Sequence, residues 1–164
     1  MIEASVDALP AGDFSAEREI HRSRRTLIEV GVWGGQEVVA KRSADRASLA
    51  AQSRAAREFQ LLALARSECV VRALALDERA GLLLLERLEG GSLLELPAPV
   101  SMALFLAIAR DACRALAAVH EAQLIHKDVN PANFVRTRDG RTKLVDFDIA
   151  TRAAWEAQEF RAPS

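Results

Sequence analysis

Between His126 and Asp148 the chain reads HKDVNPANFVRTRDGRTKLVDFD, a run of acids and amides set between apolar flanks. Oxygen-bearing side chains of this kind are ligands for small hard cations. Asp139-Gly140 favours the positive φ angles of a tight two-residue turn between Phe134 to Thr137 and Thr142 to Val145. With that turn, Val135 faces Leu144, Phe134 faces Val145 and Asn133 faces Asp146. Opposed residues of an antiparallel ladder have Cβ atoms roughly 4.5–5.5 Å apart. The amide oxygen of Asn133 and the carboxylate of Asp146 can then grip one cation. A second carboxylate, Asp128, opens the loop that enters the hairpin. A solvated hairpin with turn-forming Asn and Asp at its ends is the competing reading.

The preceding elements must position these groups. Residues 1–13 read as a loose leader closed by Pro10 and Gly12. From Phe14 to Arg42 the pattern is strand-like, with Thr26 to Trp33 and Gln36 to Arg42 joined at Gly34-Gly35. Alternation puts Glu37, Val39 and Lys41 on one face and Val38 and Ala40 on the other. Residues 44–67 read as a helix, on which Ala51, Ala55, Leu62 and Ala65 share a stripe with Glu58. A carboxylate in an apolar stripe needs compensation. Lys41 can supply it; so can Arg54, four residues earlier on the same helix. Val70 to Leu76 and Leu82 to Glu86 are two further predicted strands. Residues 86–91 (ERLEGG) form a polar break that reads as a hinge between two lobes. A long helix follows from Ser101 to Ala122, with Leu104, Ile108, Ala112, Leu116 and Val119 at core spacing.

The whole chain has 164 residues, half of them hydrophobic, with 5% aromatic residues and no tyrosine, so an aliphatic core is expected. A net charge of -1 without a basic run gives no electrostatic reason to expect nucleic acid as partner. Arg22, Arg24 and Arg25 form the tightest basic cluster and read as a solvated strand edge. No run of the sequence has the length and apolarity of a membrane span, and the acidic start is unlike a secretory signal, so a cytoplasmic location is expected. Cys69 and Cys113 stand apart without metal-ligand spacing and read as reduced thiols.

Taken in order, Lys41 on a strand, Glu58 on a helix, His126-x-Asp128 with Asn133, and Asp146-Phe147 after a hairpin resemble the signature set of eukaryotic-type serine/threonine protein kinases. More narrowly, LAAVHEAQLIHKDVNPANFV with KLVDFDIAT is similar to the N-terminal kinase module of large bacterial proteins that also carry an ATPase-like module, a sensor domain and a histidine kinase. The resemblance implies an α+β, two-lobed kinase fold. Residues 14–88 would be the β-rich N-lobe, 89–150 the start of the helical C-lobe, and 151–164 the start of an activation segment. It implies ATP and Mg²⁺ as cofactors, with ATP in the cleft between the lobes, and a protein substrate or downstream signalling domains as partners. Asp128 would orient the substrate hydroxyl and accept its proton, Asn133 and Asp146 would hold Mg²⁺, and Lys41, fixed by Glu58, would contact the α and β phosphates. Val39 and Leu85 would line the adenine pocket, and backbone groups from Glu86 to Leu88 would bond the adenine edge. His126 and Phe147 would be packing residues.

The sequence departs from the family pattern in several places. Glu19 to Thr26, where a glycine-rich phosphate loop is expected, contains no glycine. Asn130 stands for the catalytic-loop lysine, as in the narrower bacterial family. Lys127 stands for the arginine that docks a phosphorylated activation loop. Asp148 replaces the glycine after Asp146-Phe147, adding charge and stiffening that turn. The chain also ends at Ser164, before the Ala-Pro-Glu motif and several C-lobe helices. This implies a fragment in which helix 101–122 is left for a missing C-lobe or an oligomer partner to cover. A non-catalytic kinase-like module that binds nucleotide or docks a partner is an alternative. So is a small-molecule kinase of the aminoglycoside or choline type.

Overall fold

The alternating runs at the start of the chain pair into a sheet in the computed structural model, which describes residues 14–24, 26–44 and 49–154, Ala51 by its backbone alone. The leader 1–13, Arg25, residues 45–48 and the last ten residues, 155–164, lie outside this description. The chain divides into two units, one of residues 1–63 with 72–87 and one of 64–71 with 88–164. Among the described residues no helix is long and apolar enough to cross a membrane.

The first unit is an antiparallel five-stranded sheet in the order β1-β2-β3-β5-β4. Its strands are β1 (Ser15–Arg22), β2 (Thr26–Trp33), β3 (Gln36–Ser43), β4 (Ala73–Asp77) and β5 (Leu82–Glu86). Gly34 and Gly35, with φ of 57° and 79°, make the two-residue turn that the sequence predicts between β2 and β3. One face of the sheet packs Val38, Ala40, Ala75, Leu82 and Leu84 into a cluster with Phe14, Trp33 and Leu74. On the other face Val39 opposes Leu85, and Lys41 opposes Leu83. Helix α1 (Leu49–Leu64) ends earlier than its predicted bound.

The second unit has a three-stranded sheet in the order β6-β8-β9 and a two-stranded β10-β7 pair, with helix α2 (Met102–Glu121) packed on β9 and β7. The strands are β6 (Gly90–Ser92), β7 (Leu124–Ile125), β8 (Phe134–Thr137), β9 (Thr142–Leu144) and β10 (Thr151–Arg152). Ser101 caps α2 by accepting the Leu104 N–H at 3.2 Å, and Ala122 ends it, at the bounds that the sequence predicts.

Four sequence expectations need correction. Val70 and Val71 do not belong to β4. Val70 bridges in parallel to Leu144, the Val71 N–H donates to Leu144 O (2.9 Å) and the Leu144 N–H donates to Cys69 O (2.8 Å), so backbone pairing ties this stretch to β9. Gly90 and Gly91 are a strand paired with Thr137 and Arg136 rather than an open break. A Cβ at Gly90 would lie 2.0 Å from the Arg136 carbonyl oxygen, so the glycine serves close backbone approach. The most buried line of α2 is Asp111, Ala115 and Val119, with Leu104, Ile108, Ala112 and Leu116 half-buried beside it.

The β8-β9 register is also one residue away from the expected one. Phe134 opposes Leu144, Val135 opposes Lys143 and Arg136 opposes Thr142. The connection is a three-residue loop, Arg138 to Gly140, closed by Thr137 N–H to Arg141 O (2.8 Å) and Gly140 N–H to Thr137 O (3.0 Å). Gly140 takes the left-handed position at φ 84°, the form in which a type I turn ends in a bulge. The Thr137 hydroxyl holds this loop, donating to Arg141 O (2.9 Å) and accepting the Arg141 N–H (3.1 Å). Asn133 therefore faces Val145, whose N–H donates to Asn133 O at 2.9 Å, and not Asp146.

Candidate active site

In the first unit the strand lysine and the helix acid meet. Lys41 Nζ donates to Glu58 Oε1 at 2.8 Å, with side chains 10% and 4% exposed. The alternation of β3 aims Lys41 away from the Val38 cluster, and the α1 stripe brings Glu58 to it. Arg54 turns instead to the Ser43 hydroxyl at 3.5 Å, which decides between the two partners left open for Glu58. Val39 and Leu85 form a directly opposed pair on the same sheet face as Lys41. At the end of β5 the Glu86 N–H is engaged by Arg72 O (2.9 Å), and its carboxylate accepts the Arg72 N–H (2.8 Å). Leu88 falls in the second unit.

The glycine-free loop is a tight turn closed by its own side chain. Ser23 N–H donates to Thr26 O (2.8 Å), and Thr26 N–H returns to Ser23 Oγ (3.0 Å). Arg22 is paired with Glu19 (2.6 Å), and that guanidinium holds the Glu19 carboxyl below its ordinary value. Of the arginines available to replace glycine N–H groups by charge, Arg22 is thus already engaged, and Arg25 lies outside the described residues.

In the second unit Asp128 is held from two sides. Asn130 Nδ2 donates to its Oδ1 and Asn133 Nδ2 to its Oδ2, each at 2.8 Å. Asn133 Nδ2 also reaches the Asp128 carbonyl at 2.9 Å. Asn130 caps the short turn Pro131–Asn133 by accepting the Ala132 N–H (2.8 Å), so the Asn-Pro pair presets the loop. His126 is buried against Phe147, edge to face, with ring centroids 4.7 Å apart. Its Nε2 meets Val145 O (3.2 Å), and its Nδ1 accepts the Asp128 N–H (3.3 Å), contacts met together by the neutral Nε2–H tautomer. The histidine thus fixes the backbone before Asp128 and after β9 at once.

Asp146 is exposed and adopts a left-handed backbone at φ 63°. Such a conformation costs a non-glycine residue about 1–3 kcal/mol and concentrates at functional sites. Its Oδ1 accepts the Asp148 N–H at 3.3 Å. Asp148 itself is outside the left-handed region, so its backbone does not require the glycine it replaces. Asn133 and Asp146 flank the open end of the hairpin, although the true register does not put them opposite one another. Among the described residues no group of three His, Cys, Asp or Glu side chains forms a metal cage. A donor set of one amide and one carboxylate suits Mg²⁺, which takes few protein ligands and completes its shell with phosphate and water. Sequence reasoning left out two polar residues of this unit: Asn130 as a donor to Asp128, and Asp111, which accepts the Thr142 N–H.

Comparison with known proteins agrees with this layout. Residues 29–162 match the family model for the protein kinase domain. Among curated relatives, serine/threonine-protein kinase PknL of Mycobacterium tuberculosis is 38% identical over 81 residues, which cover 48% of this chain and 20% of the relative. The probable serine/threonine-protein kinase PknB of Corynebacterium glutamicum is 53% identical over 38 residues, 23% of this chain and 6% of that protein. PknB of Mycolicibacterium smegmatis is 38% identical over 56 residues, 34% of this chain and 9% of the relative. The matched stretches thus span a fifth or less of each of these proteins. With most of its length inside the family match, and with its buried Lys-Glu pair and its Asp-Asn loop in family order, the chain belongs to the protein kinase domain family.

Proposed function

We propose that the chain carries the ATP-dependent serine/threonine kinase chemistry of its relatives, transferring the γ-phosphoryl group of MgATP to a protein hydroxyl in bacterial signalling. The clamped Asp128 carries this reading. A carboxylate fixed by two amide donors is aimed, and phosphoryl transfer depends chiefly on positioning and charge stabilisation. Asp128 orients the acceptor hydroxyl and takes its proton as the oxygen attacks. Lys41, held straight by Glu58, contacts the α and β phosphates. Val39 and Leu85 offer an apolar surface to the adenine ring; the Glu86 carbonyl and the Leu88 N–H are the groups for its edge. Asn133, whose Nδ2 is turned to Asp128, keeps its Oδ1 for a cation, and Asp146 supplies a carboxylate oxygen. A bound Mg²⁺ would neutralise phosphate charge during transfer. The names of the relatives favour a protein hydroxyl over a small molecule as acceptor, and a cytoplasmic location accords with this chemistry.

The test is a pair of variants assayed for nucleotide binding and for phosphate transfer to a generic protein substrate. Asp146→Ala abolishes Mg²⁺-dependent nucleotide binding, whereas Asp128→Ala preserves binding and removes transfer. Transfer that survives Asp128→Ala overturns the assignment. Binding without any transfer by the unsubstituted chain assigns it instead to the non-catalytic nucleotide-binding class, which the Ser23 turn and the Glu19-paired Arg22 would suit.

A further inference from the structure

Asp111 is a buried acid that the proposed chemistry does not use. It is 3% exposed and shares the inner line of α2 with Ala115 and Val119. A carboxylate there costs several kcal/mol unless it is paired, and an apolar side chain would fill the place at no such cost. Its partners explain its presence. Oδ2 accepts the Thr142 N–H at 3.0 Å. Oδ1 accepts from Arg110 Nε (3.0 Å) and Nη2 (2.9 Å). Arg136 Nη1 lies 3.6 Å from Oδ2 and donates to the Thr142 hydroxyl at 3.1 Å. Arg136 and Thr142 are directly opposed, so one carboxylate holds both residues of a single rung of the β8-β9 hairpin.

This rung distinguishes the two registers. The two-residue turn favoured by Asp139-Gly140 would set Arg136 opposite Lys143 and Thr142 opposite Thr137. A slip of one residue also turns every side chain of one strand to the other face. The contact of Arg136 with Asp111 and Thr142 would then be lost. At the open end, Asn133 would move from Val145 to face Asp146. The register thus sets how Asn133 and Asp146 are disposed, and Asp111 bonds to the rung that exists in one register alone.

We propose that Asp111 is a positioning residue that selects the hairpin register and so holds Asn133 and Asp146 in the disposition that a divalent cation needs. The proposal rests on the reading of those two residues as cation ligands. Hydrogen-bonded supports behind metal ligands typically change metal affinity by about 10–100-fold when removed.

The test uses the whole chain, with Mn²⁺ in the presence of ATP as a spectroscopic probe of the metal site. Asp111→Asn keeps an oxygen for the Thr142 N–H and removes the charge that pairs with both arginines. It is expected to weaken Mn²⁺ binding about tenfold and to leave metal-free nucleotide affinity unchanged. It is also expected to weaken the Hα–Hα NOE between Arg136 and Thr142. Folded Asp111→Asn with unchanged Mn²⁺ affinity and a lower melting temperature assigns Asp111 a purely structural role and overturns the proposal. Should Asp111→Asn fail to fold, Arg136→Met takes its place: it removes one grip on the rung, and unchanged Mn²⁺ affinity there overturns the proposal equally. Asp146→Ala serves as control. If it leaves Mn²⁺ binding intact, the cation reading itself fails and the proposal falls with it. If it abolishes binding while folded Asp111→Asn does not weaken it, the cation reading stands and the role of Asp111 alone is refuted.

Discussion

Replacing Glu58 by leucine takes a 2.8 Å partner from the Lys41 ammonium in a site where its side chain is 10% exposed, and replacing Lys41 by methionine does the same to the Glu58 carboxylate at 4%. At the observed 2.8 Å and an effective dielectric of about 20, the gross attraction is about 6 kcal/mol. Desolvating the two ions costs several kcal/mol each, so the pair nets little against two apolar side chains of similar size. Breaking it is different, because the remaining charge stays buried after losing its 2.8 Å partner, a change that typically costs about 3–5 kcal/mol. Each single variant should therefore lose about 3–5 kcal/mol in urea unfolding, a large part of the 5–15 kcal/mol or so of a typical domain. The double variant Lys41→Met/Glu58→Leu should return to within about 1 kcal/mol of the parent chain, giving a large coupling energy in the cycle. Nucleotide binding should be weakened in all three, so the double variant separates fold from function. Single variants that each lose under about 1 kcal/mol would mean that the pair behaves as a solvated one. A double variant as unstable as the sum of the singles would refute the argument from the broken pair.

Gly90→Ala forces a Cβ to within 2.0 Å of the Arg136 carbonyl oxygen, which the β6-β8 pairing prevents from retreating. A loss of about 1–3 kcal/mol or more is expected in chemical denaturation. Gly91→Ala meets the movable Glu95 carboxylate and should cost clearly less, so equal losses would contradict the close-approach account. Burial, helped by the nearby Asp111 charge, pushes the Cys69 thiol above its ordinary value of 9.0. Because its folded value is raised, its contribution to stability is complete below that ordinary value and is lost as pH rises past it. Alkylation of the native chain at pH 8 followed by peptide mass mapping should label the exposed Cys113 and spare Cys69.

Much of the first unit was legible in the sequence because its signals are local. A period of two and a Gly-Gly turn place β2, β3 and the two faces of the sheet, and with them Lys41 beside Val39. The principle that a carboxylate in an apolar stripe needs a cation led from Glu58 to Lys41 or Arg54, and the structure pairs it with Lys41. The same principle applied to α2 would have found Asp111, which sits four residues before Ala115 on the buried line; choosing the stripe by its leucines hid it. The β8-β9 register was not legible from Asp139-Gly140. The turn dipeptide is outweighed by the Thr137 hydroxyl, which closes a three-residue loop, and by contacts to Asp111 and to the 69–71 stretch that are distant in sequence. The pairing first expected of Asn133 with Asp146 was thus displaced by one rung.

The departures from the family pattern gain a physical sense from these contacts, and Asn130 shows it best. Its side chain accepts the Ala132 N–H and donates to Asp128 Oδ1, so it uses an acceptor and a donor at once. A lysine has three donors and no acceptor; its side chain could not accept the Ala132 N–H and so could not cap the Pro131–Asn133 turn. Asparagine at this position therefore exchanges a positive charge for a second hold on the carboxylate, matching the one from Asn133 on the other oxygen. In the proposed reaction, aiming would improve the position of the attacking hydroxyl, whereas the lost charge would remove stabilisation of the phosphoryl group in flight, and neither can replace the other. In the proposed reaction the charge that a lysine would bring would have to come from a cation at Asn133 and Asp146. On that proposal their disposition, and with it the rung held by Asp111, matters more in this chain than it would beside a lysine.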